Sequence, residues 1–102
     1  MQGEHHFLLG HLDPDRQAQV MIVTKRHVET PFDLNDDEWA AMGPMLTSAK
    51  AYLSPFNPAG YTVGWNVGAA GGQTVMHAHL HVVARFADEP KAGLGIHGLR
   101  RG

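Results

Sequence analysis

Three observations predict an α+β fold, with a mainly antiparallel sheet of about five strands and one main helix packed on it. Two short apolar runs come first, one long amphipathic stretch follows, and two further strand-like segments close the pattern without any strand-helix-strand alternation. At 102 residues the chain has room for one core. Residues 1–102 are therefore expected to form one domain, its body at 7–86 and a tail at 87–102.

Phe7-Leu8-Leu9 suits a first strand, and Asp13-Pro14-Asp15 is turn chemistry that predicts a hairpin into Val20-Met21-Ile22-Val23-Thr24, a β-branched run read as a buried strand. The helix start is marked by Asn35, which can cap backbone donors while Glu38 reaches back to it; Leu34 can staple against Trp39. From there Trp39, Met42, Leu46, Ala49 and Leu53 recur at threes and fours, an apolar stripe for a sheet. Gly43-Pro44 interrupts it, and a kink or two shorter helices are expected, because interior proline costs about 3 kcal/mol. Ser54-Pro55 and Asn57-Pro58 end the stretch. Tyr61 to Val67 and Thr74 to Val83 read as a second hairpin around the glycine-rich Gly68-Ala69-Ala70-Gly71-Gly72. Beyond Phe86 no periodicity remains.

Hydrophobic residues at 43% and charged ones at 18% allow a core and exclude a disordered segment, although a core this small favours self-association. A formal net charge of -2 without a basic block argues against nucleic-acid binding. The longest aliphatic run, Val20 to Val23, is too short to span a membrane, and the MQGEHHF start lacks a signal-peptide layout. With zero cysteines there is no disulfide, thiolate metal site or cysteine nucleophile, and a cytoplasmic setting is expected.

Eight histidines are unusual for this length, and His77, His79 and His81 fall at alternate positions. On one strand they would share a face, roughly 6.5 to 7 Å apart, with Ala78, Leu80 and Val82 turned to the core. His5, His6, His11 and His97 are read as solvated surface side chains. A metal site is the first chemical reading of the cluster, but neither an HExxH motif nor a carboxylate between Glu38 and Asp88 completes a ligand set. Attack on phosphorus fits better: a neutral imidazole is both a good nucleophile and a good leaving group. The backbone N–H groups of Gly72, Gln73 and Thr74, the Thr74 hydroxyl and the Asn66 amide could cradle the phosphate.

The run from Asn66 through Gly72-Gln73-Thr74-Val75-Met76-His77-Ala78-His79-Leu80-His81 resembles the histidine triad (HIT) motif with its preceding loop. Val23-Thr24-Lys25-Arg26-His27 resembles the family's strand ending in a Pro-Lys-Arg-His-like element, so the likeness covers 7 to 86. This resemblance implies a HIT-like homodimer, paired through sheet and helix, that needs no cofactor. The implied reaction is hydrolysis at the α-phosphate of dinucleoside polyphosphates or nucleoside phosphoramidates. It assigns His79 as nucleophile, His81 to the phosphate and leaving group, and His77 to orienting the neighbouring ring and its tautomer. Asn66, Gln73 and Thr74 match phosphate-side positions, and Asp13 would accept the ribose hydroxyls. The chain departs from the pattern in having Ala18-Gln19 for Gly-His, Thr24 for proline and Ala84 for proline. The third histidine favours hydrolysis over sugar-phosphate transfer. Two alternatives remain open: a nucleotide-binding regulatory protein with little catalysis, and a histidine-ligated metal site.

Overall fold

A computed structural model of the chain describes residues 2–12 and 18–98, leaving the side chains of His11, Leu12 and His97 outside the description. The strands are β1 (His6–Leu12), β2 (Ala18–Thr24), β3 (Gly60–Trp65) and β4 (His79–Arg85), and helix α1 (Asp36–Leu53) lies between β2 and β3 in sequence. All pair antiparallel in the order β1-β2-β4-β3. The described residues thus contain a sheet of four strands where about five were expected. The expected turn at Asp13-Pro14-Asp15 lies outside the described residues, although the strands on either side pair as a hairpin requires.

Strand parity builds the core. Leu8 on β1, Ala18, Val20 and Ile22 on β2, and Leu80, Val82 and Ala84 on β4 share one face and join Met42, Met45, Ala49 and Leu53 of α1 in a single apolar cluster. Burying side chains of this size contributes about 1.5–3 kcal/mol each. The helix begins as expected, with the Asn35 carboxamide accepting from the Glu38 N–H at 2.8 Å and Glu38 Oε1 accepting from the Asn35 N–H at 2.9 Å. Its buried stripe is rotated from the expected one. Glu38, Met42, Met45, Ala49 and Leu53 face inward, while Trp39 is 47% exposed and meets Trp65 edge-on at 6.3 Å. Pro44 does not divide the helix, which runs unbroken from Asp36 to Leu53. Packing of the flanking Met42, Met45 and Ala49 on the sheet offsets the single lost backbone bond.

His6 corrects the surface reading. It shares parity with Leu8, so its ring points to the core, fully buried, and neither ring nitrogen has a hydrogen-bond partner among the described residues. Burial pushes its pKa down, opposed by the nearby Glu38 carboxylate. Glu38 is itself buried and held ionised chiefly by Arg26, whose Nη2 donates to it at 2.8 Å.

The depressed His6 pKa sets a direction for acid stability. The unfolded chain takes up a proton near about pH 6.5 while the buried ring resists, so this contribution is complete above that pH and is lost as pH falls towards the folded value. His6→Phe should shrink the stability difference between pH 7.5 and pH 5.5 in urea unfolding, leaving the part due to other buried histidines. An unchanged difference would show that His6 does not carry it.

Candidate active site

The ladder sets the site. Register places Phe7 beside Val23 and Val23 beside His79, and likewise Leu9 beside Met21 and Met21 beside His81, all on the sheet face opposite α1. Gly64 of β3 flanks His81 without a side chain to crowd it. Ala78, Leu80 and Val82 turn to the core as expected, at 1%, 3% and 3% exposure.

The three rings do not form one open row. β4 starts at His79, and His77 lies in a bend before it, so only His79 and His81 follow strand alternation. Those two are buried, because β4 runs between β2 and β3 and is covered on both faces. Their rings meet edge to face with centroids 4.9 Å apart. His81 Nε2 is buried without a partner among the described residues, and burial, followed by the neighbouring His79, lowers the His81 pKa.

His79 Nδ1 lies 2.7 Å from the carbonyl oxygen of His77. A carbonyl only accepts, so Nδ1 carries the proton and Nε2 of the neutral ring keeps its lone pair. The tautomer is therefore set through the His77 backbone carbonyl. The peptide unit concerned is anchored from its other side, since the Ala78 N–H donates to the Val28 carbonyl at 2.8 Å. The His77 ring is held too: Nε2 donates to the Thr24 carbonyl at 2.7 Å, and Nδ1 faces Nδ1 of His27 at 3.3 Å. With the His77 proton on Nε2, His27 is the donor of that pair. His27 and Thr24 are contributors that the sequence reading did not place in the site. They lie 50 and 53 residues from His77, and no local periodicity reports contacts over such separations.

The glycine-rich loop is stitched internally. Gly68 and Gly72 have φ of 70° and 98°, which glycine adopts without penalty. The N–H groups of Gly72 and Gln73 donate to Ala69 and Gly68, so they are not open donors as expected. The Gln73 side chain is likewise committed: Oε1 accepts from the Gly68 N–H at 2.8 Å, and Nε2 donates to Glu29 and Val75 carbonyls at 2.6 and 3.0 Å. Gln73 therefore holds the loop together. The open donors lie just beyond, since the N–H groups of Thr74, Val75, Met76 and His77 donate to no other described residue. Thr74 is exposed, and Asn66 follows the last β3–β4 pair at the level of His79. Asp13 lies outside the described residues. Among the described residues no three histidine or carboxylate groups converge as metal ligands.

The HIT domain family model matches residues 1–88, and the chain belongs to this family. It is 31% identical over 90 residues to an AP-4-A phosphorylase of Mycobacterium tuberculosis, covering 86% of this chain and 46% of that protein. An uncharacterised HIT-like protein of Methanocaldococcus jannaschii is 26% identical over 85 residues, covering 83% of this chain and 66% of its own length. The chain thus spans two thirds or less of these relatives. Among solved structures, the NitFhit protein of Caenorhabditis elegans superposes with a TM-score of 0.74 at 30% identity, covering 91% of this chain and 23% of that one.

Gln73 gives the site a direct test. Replacing it by Leu removes three hydrogen bonds from a buried position and should cost about 2–3 kcal/mol of stability. Amide exchange should quicken selectively from Gly68 to His77, as read by hydrogen exchange. Uniform quickening across the sheet would count against a loop-specific role.

Proposed function

We propose that this chain hydrolyses nucleotides at the α-phosphate, taking dinucleoside polyphosphates or nucleoside phosphoramidates, through a covalent nucleotidyl-His79 intermediate. The observation that carries the proposal is the 2.7 Å bond from His79 Nδ1 to the His77 carbonyl, which leaves Nε2 as the free nucleophile. Nε2 attacks phosphorus, a P–N bond forms, and the P–O or P–N bond to the leaving group breaks. The leaving group departs with its electron pair and takes up a proton. Water then adds to phosphorus, the P–N bond to His79 breaks, the pair returns to Nε2, and a nucleoside monophosphate and a proton are released.

The surroundings support this chemistry. The N–H groups of residues 74–77, which donate to no other described residue and immediately precede His79 in sequence, would receive phosphate oxygens together with Asn66 and the Thr74 hydroxyl. His81 has a buried Nε2, unpaired among the described residues, that a phosphate oxygen or leaving group would satisfy. Val23 and Phe7, in register beside His79, offer an apolar floor to a base. Asp13 keeps the ribose-binding role in this proposal, and Gly72 serves as a turn residue. Similarity to a protein named AP-4-A phosphorylase supports the polyphosphate class. A binder with little turnover is the second reading, favoured by Gln19, a non-titratable side chain that pairs with Val83 one step along the face from His81. The cysteine-free sequence suits the cytoplasm, and among the described residues no helix is long and apolar enough to cross a membrane.

The second part of the proposal is a homodimer. β3 is a sheet edge of sequence GYTVGW, with no charge or proline to discourage pairing. Tyr61 and Val63, at 36% and 45% exposure, lie on the same face of this edge as half-exposed Trp39 of α1. A second copy adding its own β3 would pair the edge and cover that apolar face together.

His79→Ala and His79→Asn should each lower turnover on the order of a thousandfold or more while retaining AMP binding. Near-normal rates in either variant would overturn the assignment. Rapid-quench trapping with a slow substrate should recover phosphorus on the His79 ring, and its absence during turnover would favour a different mechanism. Rates should be unchanged in excess chelator; loss of activity there would point to a metal site. For the dimer, Val63→Glu should convert a two-chain species to one chain in analytical ultracentrifugation. A variant that sediments as wild type would place the interface elsewhere.

A further inference from the structure

Thr24 ends β2 and is 1% exposed, and its hydroxyl and carbonyl oxygens both lie close to the His77 ring. Its hydroxyl donates to the Arg26 carbonyl at 3.0 Å, which fixes the proton on that side and leaves a lone pair facing His77 Nε2 at 3.3 Å. Its carbonyl lies 2.7 Å from the same nitrogen. One residue thus offers two acceptors to one ring N–H while bracing the turn that carries His27 and Val28. We propose that Thr24 is a positioning residue: through the His77 ring and this turn it holds the His77 carbonyl on His79 Nδ1.

The proposal rests on His79 being the nucleophile, and its logic follows from where His77 sits. Because His77 precedes β4, no ladder bond fixes it, and its orientation depends on what residues 24–28 contribute. Val28 anchors the peptide, His27 one ring nitrogen, and Thr24 the other ring nitrogen and the turn itself. Removing the hydroxyl leaves the fold and the open amides in place but loosens the carbonyl that selects the His79 tautomer. The cost belongs to the chemical step rather than to substrate binding.

The test compares wild type, Thr24→Val and Thr24→Ser with a fluorogenic adenosine phosphoramidate. Thr24→Val should lower kcat about five- to tenfold with KM within about twofold of wild type, the scale of one hydrogen bond, and Thr24→Ser should restore kcat. Wild-type kcat in Thr24→Val, or equal impairment in Thr24→Ser, would overturn the role. Should Thr24→Val not fold, Thr24→Ala takes its place with the same criteria. A second arm is independent of turnover: solvent exchange of the His77 Nε2–H, followed by NMR, should be slow in wild type and Thr24→Ser and at least about fivefold faster in the Val or Ala variant. Exchange in wild type as fast as in free imidazole would by itself refute the proposal. If wild type hydrolyses no nucleotide substrate, the proposed function fails, while this second arm still decides whether Thr24 holds His77.

Discussion

The hydrogen bond from the His79 ring to the His77 carbonyl is the constraint on which the rest of the site depends. It requires a ring held at a fixed pitch and a carbonyl held at a fixed angle, and the fold meets the two demands by different means. Pairing of His79 with Val23 of β2, continued by the β3 ladder from Leu80 onward, fixes the ring, because the start of β4 cannot shift without breaking register. The carbonyl belongs to a bend, so it is held by contacts from residues 24–28 instead.

Burial gives this arrangement its chemical character. His79 and His81 are 8% and 6% exposed, and burial at His81 penalises its imidazolium form. For His81 this shows as a lowered pKa, with burial as the larger cause. The two rings meet edge to face, and two positive charges at that separation would repel. The same physics operates at His6, where no chemistry is served, and there burial is only a cost. Glu38 moderates it while anchoring the start of α1 and the turn through Arg26.

Much of this architecture was legible because its causes are local. Asn35 and Glu38 form a capping box whatever surrounds them, and the parity of Ala78, Leu80 and Val82 assigned the inner face of β4 correctly. Errors arose where long-range packing decides. Strand propensity from Thr74 to Met76 ran the pattern back through His77, but the Gln73 contact with Glu29 pulls this segment off the sheet. Pro44 breaks an isolated helix, and here packing on the sheet beneath keeps the helix continuous. His6 looked like a surface residue because hydropathy records its type and not its parity with Leu8. The HIT motif drew attention to the triad histidines, whereas the contacts of His77 with Thr24 and His27 became visible only in three dimensions.

Ala78 sits at the junction of these two modes of support. Its N–H and the His77 carbonyl are the two ends of one rigid peptide plate, latched by Val28 behind and His79 in front. The plate works as a lever: tilting it about its long axis would loosen both latches at once. The dipeptide between the glycine-rich loop and the strand thereby couples the two, so that a change in its tilt would be felt at the His79 ring.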